Sequence, residues 1–165
     1  MGTLRFTSIL AAALLWTGCS RKEAATLHLG QSIHHDDFEY TVESFERTPQ
    51  IDDRRAQGLF YLVAFRVDND AKRVNHRWTN HVAYVVDSSG RRYESDLEAG
   101  RALAASRDIP FHDQYVTPPD GSDRAVLVFD LPSNVDRPCL MVRGSFLMGD
   151  VFDLGQYARA RVQLF

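Results

Sequence analysis

The sequence predicts an all-β fold, a sandwich or barrel of about seven to nine strands with at most one short helix in a connecting loop. Three observations lead to this prediction. Short segments of alternating apolar and polar residues recur along the chain, turn signals separate them, and one apolar segment near the middle is rich in β-branched and aromatic residues. The 165 residues suffice for one domain and a targeting segment.

The segment from Gly58 to Asp70 is predicted to be the central strand. Side chains alternate between the two faces of a strand. One face is therefore wholly apolar and consists of Leu59, Tyr61, Val63, Phe65 and Val67. The other face is apolar only in its first half, so the strand is expected to be covered on both faces at its start and half-exposed at its end. A buried helix is the alternative, which the β-branched and aromatic content disfavours.

Other segments carry the alternation or the short apolar runs typical of strands, namely 27–29, 38–47, 81–87, 91–95, 124–131, 140–147 and 158–165. The alternation breaks near Ser44, where a β-bulge is predicted. The last segment is predicted to be an edge strand protected by its arginines. Thr48 to Gln57 is predicted to be a polar loop. Asp96 to Arg107 is the one helical segment, with Asp96 as its cap, and should connect the two sheets.

The N-terminus resembles a bacterial lipoprotein signal. Arg5 precedes an apolar run that ends at Trp16, and Thr17-Gly18 precedes Cys19. The resemblance implies a signal peptide over 1–18, lipid attachment at Cys19, a tether over 19–26 and a folded domain over 27–165. Trp16 departs from the leucine usual in such signals. An unprocessed N-terminal anchor or a buried apolar helix is the alternative, although the run is too short to span a membrane.

The lipoprotein resemblance also implies a location in the cell envelope. In a cell with two membranes, Ser20 and Arg21 resemble the residues that follow the lipidated cysteine of outer-membrane lipoproteins, so the domain would face the periplasm or the cell surface. Cys139 would be the only cysteine besides Cys19, which leaves the domain without an internal disulfide. The net charge of −3 argues against nucleic acid as a partner, because nucleic-acid-binding surfaces are basic.

Three motifs in order resemble those of the telokin-like, immunoglobulin-fold domain found in bacterial lipoproteins and secreted antigens. They are Val67-Asp68-Asn69, Asp87-Ser88-Ser89-Gly90-Arg91-Arg92-Tyr93, and Val128-Phe129-Asp130-Leu131-Pro132. The resemblance runs from about Leu27 to the C-terminus and implies an immunoglobulin-like antiparallel β-sandwich. The family has no established catalytic residues, so the resemblance implies a setting and a fold but no mechanism.

A polar cluster at His34, His35, Asp36 and Asp37 is the candidate metal site. Imidazole and carboxylate groups bind zinc or copper. Neighbouring residues of a strand point to opposite faces, however, so only a loop would bring the four side chains together. A solvated turn between two strands is therefore the alternative interpretation.

A second candidate is a contact site around Trp78, flanked by His76, Arg77 and His81 in a basic segment. An exposed tryptophan of this kind could bind a protein or a glycan. The alternative is a tryptophan that packs under the end of the sandwich, which is common in immunoglobulin-like domains.

These observations favour a non-enzymatic, membrane-anchored extracytoplasmic lipoprotein with an immunoglobulin-like binding or structural module and no cofactor. Its expected partners are the membrane, through the lipid, and an envelope or extracellular protein. The sequence has no G-x-S-x-G motif and no phosphate-binding glycine loop. The alternative function is a periplasmic metal- or small-ligand-binding protein that uses the loop from His34 to Asp37.

Overall fold

The computed structural model of the chain describes residues 25–143 and 160–165. The predicted signal peptide and Cys19 lie outside these ranges. The first strand begins at Ala25, within the predicted tether. Among the described residues no helix has the length and apolar character needed to cross a membrane.

Within the described ranges the chain forms eleven strands, one α-helix and one 3-10 helix. In chain order they are β1 (Ala25–Leu27), β2 (Ser32–His35), β3 (Phe38–Ile51), β4 (Arg54–Asn69), β5 (His76–Thr79), the 3-10 helix (Asn80–Val82), β6 (Ala83–Val86), β7 (Arg92–Tyr93), α1 (Leu97–Arg107), β8 (Gln114–Thr117), β9 (Gly121–Pro132), β10 (Cys139–Val142) and β11 (Ala160–Gln163). The predicted all-β class is confirmed, and the additional strands are short ones, such as β5 and β8.

The four-stranded sheet has the order β2-β3-β4-β9, and all its pairs are antiparallel. Strand β4 pairs with both long neighbours over most of its length, which makes it the central strand that the sequence predicts. A register shift between Val42 and Ser44 marks the predicted β-bulge in β3. Strands β5 and β8 form a separate antiparallel pair.

The five-stranded sheet has the order β1-β11-β10-β6-β7. Strand β1 runs parallel to β11, whereas the other pairs are antiparallel. Its inner face packs against the four-stranded sheet through residues such as Val85, Leu140 and Val162, which meet Tyr61, Val63, Phe65 and Phe129 in one apolar core. The alternation of apolar residues in these strands therefore produces a two-layered sandwich, as predicted.

Helix α1 covers part of the outer face of the four-stranded sheet. Its residues Ala99 and Leu103 pack against Phe60, Leu62 and Val128 in a second apolar cluster. Asp96 caps the helix by accepting a hydrogen bond from the Ala99 N–H at 2.9 Å. The helix explains why the first half of β4 is apolar on both faces and the second half on only one.

The predicted polar loop from Thr48 to Gln57 is wrong. Strands β3 and β4 continue through it as a hairpin whose turn consists of Asp52 and Asp53. Ile51 is only 3% exposed and belongs to the cluster beneath α1. Burial of this single apolar side chain in a polar segment extends the hairpin beyond the point where the sequence pattern ends.

The last strand differs from its predicted edge position. Strand β11 lies between β1 and β10, so β1 forms the edge of the five-stranded sheet. The prediction failed because β1 is only three residues long and pairs with β11 in parallel from the opposite end of the chain. Such a long-range pairing leaves no local sequence signal. Of the predicted strand 140–147, residues 144–147 lie outside the described ranges.

Candidate functional site

The polar cluster from His34 to Asp37 falls at the turn between β2 and β3. His34 is exposed, and its Nε2 lies 3.9 Å from a carboxylate oxygen of Glu39. His35 follows it in the same strand, points to the opposite face and is half-buried. Asp36, with φ of 54°, and Asp37 form the turn itself. The strand therefore separates the two imidazoles, and residues 25–143 and 160–165 contain no group of three or more His, Cys, Asp or Glu side chains able to hold a metal ion.

Trp78 lies inside the sandwich and is 3% exposed. Its ring stacks on Tyr115 at a centroid distance of 4.1 Å, and its Nε1–H donates to the Thr117 hydroxyl at 3.0 Å. The Thr117 hydroxyl in turn donates to an Asp123 carboxylate oxygen at 2.7 Å. A buried indole with a satisfied N–H is part of the core. Trp78 therefore does not form the exposed contact site that its basic neighbourhood suggests.

His76 is likewise buried, at 2% exposure. Its ring stacks on Phe38 at 3.9 Å, and its Nε2 shares a hydrogen bond of 2.9 Å with the Tyr40 hydroxyl. Burial, and to a smaller extent the charge of His35, lowers the pKa of His76 to about 4. His76 is therefore neutral at physiological pH and belongs to the polar network of the core.

Arg77 and His81 are the exposed members of the predicted contact site. His81 Nδ1 lies 4.0 Å from a Glu94 carboxylate oxygen and 3.5 Å from the Ser95 hydroxyl. Both contacts involve the same ring nitrogen. A hydrolytic triad requires the carboxylate and the nucleophile on different nitrogens, so this cluster does not have that geometry. The four predicted residues split between core and surface and form no common contact surface.

A cleft on the outer face of the five-stranded sheet was missed by the sequence analysis. Its volume is about 420 Å³. It is lined by outward-facing residues of four strands and by residues of three adjoining segments, namely Thr26, Tyr84, Val86, Asp87, Ser88, Arg137, Cys139, Met141, Arg161, Gln163 and Phe165. The volume is in the range typical of small-ligand sites. We refer to these residues as the outer cleft.

The outer cleft contains apolar and cationic groups side by side. Met141 is 8% exposed, whereas Phe165 is 61% exposed at the C-terminus. Arg137 adopts a left-handed backbone with φ of 47°, which is uncommon for residues other than glycine. In the part of the chain that the structure describes, no acidic side chain forms an ion pair with Arg137 or Arg161.

The acidic groups at the cleft already have donors. One oxygen of Asp87 accepts hydrogen bonds from the Ser89 N–H and hydroxyl and from the Arg91 N–H, and the other accepts from the Tyr93 hydroxyl. The Ser89 hydroxyl bond is the main reason that the pKa of Asp87 lies below its ordinary value. Asp136, next to Arg137, accepts from the Ser88 hydroxyl at 3.1 Å. Within the described ranges, the acids of the cleft therefore have hydrogen-bond donors, whereas Arg137 and Arg161 have no acidic partner.

Cys139 lies in the cleft at the start of β10 and is half-buried. Its thiol contacts the Arg137 carbonyl oxygen at 3.6 Å. Burial raises the pKa of the thiol, and the charge of Arg161 opposes this only in part. A protonated thiol is a weak nucleophile, so this environment does not activate Cys139. It can serve as a reporter of whether the cleft is occupied.

The outward residues of β10 and β11 were visible in the sequence as Cys139, Met141, Arg161 and Gln163 in alternation. The sequence pattern predicts that the arginines of this last strand protect a strand edge. Only the pairing of β10 with both β11 and β6 places these side chains beside Tyr84 and Val86. Each strand therefore shows its own outward-facing residues in the sequence, but the sequence does not show that these residues meet in one cleft.

Comparisons with known proteins agree with the fold. The family model described as Domain of unknown function (DUF4352) matches residues 27–151. The chain is similar to the yjhA protein of Bacillus subtilis, with a TM-score of 0.58, 8% identity, and coverage of 84% of this chain and 98% of that one. It is also similar to an uncharacterised β-sandwich protein of Clostridium difficile, with a TM-score of 0.56, 13% identity, and coverage of 87% and 96%.

A third similar structure is that of MPT63, a secreted protein of Mycobacterium tuberculosis. The TM-score is 0.51, the identity is 10%, and the match covers 76% of this chain and 93% of that one. No curated protein matches the chain by sequence. These findings confirm the predicted resemblance to an immunoglobulin-like β-sandwich domain of unknown function.

Proposed function

We propose a function for this chain, which belongs to the family described as Domain of unknown function (DUF4352). In this proposal it is a non-enzymatic binding module, and a lipid on Cys19 attaches it to the outside of a cell membrane. The proposal joins three features: the lipoprotein-like N-terminus, the β-sandwich and the outer cleft. It describes a protein that holds a ligand or partner near the membrane without transforming it.

The position of β1 is the observation that carries the proposal. Ala25 follows Cys19 by six residues and begins the edge strand of the five-stranded sheet. Six extended residues span at most about 20 Å. A lipid on Cys19 would therefore hold this sheet close to the membrane, and Thr26 of the same strand lines the outer cleft.

The polar side chains that could take part in catalysis already have structural contacts, which supports a role in binding. Asp87 and Asp123 accept structural hydrogen bonds, and His76 is buried and neutral. The His81 contacts lack triad geometry, and the pKa of Cys139 is raised. Catalytic acids, bases and nucleophiles need pKa values suited to proton transfer or nucleophilic attack. The contacts of these groups instead serve to stabilise the fold.

Mass analysis of the chain purified from native membranes tests the anchor. We expect a mature N-terminus at Cys19 carrying acyl chains, and we expect the Cys19→Ala variant to lose both the lipid and the cleavage. Several buried acyl chains hold a protein firmly on a bilayer. Cys139→Ala is the matched control and should remain lipidated. An unmodified Cys19 in a chain that retains residues 1–18 would exclude the anchor.

Cross-linking in intact cells tests the binding role. We expect a recurring cross-linked species that contains this chain and an envelope or extracellular protein. The Cys19→Ala chain serves as the comparison, because loss of the anchor should reduce that species. Recovery of the monomer alone under several cross-linking conditions would contradict a protein partner.

A further inference from the structure

We propose that the outer cleft is a binding site for a monomeric amphiphilic anion, a molecule with an oxyanion head and a short alkyl chain. This inference names the class of ligand that the proposed binding module takes. It rests on one part of the proposed function, namely that the module binds its ligand without transforming it. It needs no lipid on Cys19, because the cleft is built from the folded domain alone.

The head group is inferred from the charges of the cleft. Arg137 and Arg161 line it and have no acidic partner among residues 25–143 and 160–165. The nearby carboxylates of Asp87 and Asp136 already accept hydrogen bonds from protein donors. The cleft therefore has unused donors and few unused acceptors. A carboxylate or phosphate would form charge-assisted hydrogen bonds with such guanidinium groups.

Two arginines near the cleft, unlike Arg137 and Arg161, have an acidic partner. Arg92 and Arg143 lie near it, and their guanidinium carbons are 3.8 and 4.5 Å from the centroid of the Tyr84 ring. Both form ion pairs with Glu94, at 3.0 and 2.7 Å. Arg92 and Arg143 therefore share one carboxylate, whereas no acidic side chain among the described residues pairs with Arg137 or Arg161.

The alkyl chain is inferred from the apolar lining. Tyr84, Val86 and Met141 belong to adjacent strands β6 and β10, so their outward side chains form a continuous apolar strip, and Phe165 extends it at the C-terminus. Ligand sites are mostly apolar with a few polar groups that orient the ligand. A small inorganic anion would leave this strip unused, and a neutral hydrocarbon would leave the arginines unused. An amphiphilic anion satisfies both.

The rate of Cys139 alkylation by iodoacetamide is the readout, measured by mass spectrometry on the full chain carrying Cys19→Ser. Cys139 is then the only cysteine, since the sequence contains two. We expect decanoate, added below its micelle concentration, to slow alkylation by about threefold or more, because access controls thiol reactivity. Acetate, which lacks the chain, and decyltrimethylammonium, which has the opposite charge, should leave the rate unchanged.

The Arg137→Gln/Arg161→Gln variant should lose the protection by decanoate. Its matched control is Arg54→Gln/Arg73→Gln, which removes the same charge from exposed positions outside the cleft and should retain the protection. Circular dichroism verifies that both variants fold. If the cleft variant misfolds, the single variants Arg137→Gln and Arg161→Gln, each with a weakened response, answer the question.

Other outcomes would overturn the proposal. Equal slowing by decanoate in the cleft variant, or by decyltrimethylammonium in the parent chain, would show non-specific adsorption. No slowing by decanoate would exclude the site. Protection by vesicles containing phosphatidylglycerol but not by decanoate would indicate that the face docks on a bilayer instead. Because the tested chain carries no lipid, none of these results depends on the anchor.

Discussion

At the scale of single residues, the motif Asp87 to Tyr93 has a structural explanation. The carboxylate of Asp87 accepts four hydrogen bonds across the turn between β6 and β7, from Ser89, Arg91 and Tyr93. Gly90 has a φ of 83°, a conformation that residues with a side chain rarely adopt. This motif, one of the three that carry the family resemblance, is therefore a turn held by the hydrogen bonds of one carboxylate.

Asp87→Ala should destabilise the domain at neutral pH and much less in acid. The folded state lowers the pKa of Asp87, so its contribution is present above the ordinary aspartate pKa of about 4 and is lost as the pH falls further. Urea unfolding of the variant and the parent at pH 7 and at pH 3 measures this difference. Asp53→Ala, in the exposed turn between β3 and β4, should change stability little at either pH. An equal loss for Asp87→Ala at both pH values would contradict the explanation.

His76 should make the domain less stable as the pH falls. Its folded pKa is about 4, below the ordinary value of 6.5, so the unfolded chain binds a proton first. Stability is thus complete above pH 6.5 and declines towards pH 4, by on the order of 3 kcal/mol if the full shift is expressed. The neighbouring titratable groups are Tyr40 and His35.

Unfolding free energies between pH 7 and pH 4 test this expectation. His76→Gln replaces the imidazole with an amide, which can still form hydrogen bonds but does not titrate. The stability of this variant should therefore decline less steeply as the pH falls. His28→Gln changes an exposed histidine and should retain the slope of the parent. A slope unchanged in His76→Gln would assign the acid sensitivity to other groups.

At the scale of elements, β4 organises the sandwich because it is covered on both faces. Its inner face joins the main core, and the first half of its outer face lies under α1. Gly58 permits a close approach near the start of the strand. A Cβ atom at this position would lie 2.3 Å from the Ser133 nitrogen and 2.7 Å from the Leu131 oxygen. The glycine therefore allows β4 to pack against the end of β9.

Gly58→Ala should destabilise the domain by about 1–3 kcal/mol, because the atoms it meets belong to the backbone and cannot rotate away. Thermal or urea unfolding measures the loss. Gly30→Ala is the matched control. Nothing lies within 4 Å of its added Cβ, and only its φ of 79° opposes the substitution, at about 1 kcal/mol. A smaller loss at Gly58 than at Gly30 would show that the strands separate easily there.

At the scale of the whole molecule, stability depends on burial without a covalent link. Cys139 is a free thiol, and Cys19 lies outside the described residues. The two apolar clusters on either side of the four-stranded sheet supply the burial. A domain of this size can rely on such a core. Both clusters lie away from the outer face of the five-stranded sheet, where the described residues line the cleft.

The free energy of unfolding should accordingly be the same with and without a thiol reductant in the parent chain, which contains both Cys19 and Cys139. Paired urea titrations measure it, and a non-reducing gel monitors dimers linked through Cys139. A lower stability of the monomer in the reductant would contradict the prediction that the domain has no intrachain disulfide. Such a disulfide constrains the unfolded state and stabilises the folded domain by about 2–4 kcal/mol.

Local sequence patterns predict the long strands, their buried faces, the bulge near Ser44 and the capped helix. Each of these depends on residues close together in the chain, because the period of two in a strand and the cap of a helix are local properties. The N-terminal pattern of the predicted lipoprotein signal is local in the same sense. The prediction of a polar loop around Ile51 failed because Ile51 is buried in the apolar cluster beneath α1, and this burial outweighed the polar local composition.

Which polar residues share a surface follows from the tertiary structure. It buried Trp78 and His76, set His34 and His35 on opposite faces of β2, and assembled the cleft from residues as distant in the chain as Thr26, Tyr84 and Arg161. Those contacts follow from the pairing of β1 and β10 with β11 and of β10 with β6. Strand order is set by the packing of the whole core, so no local pattern of residues encodes it.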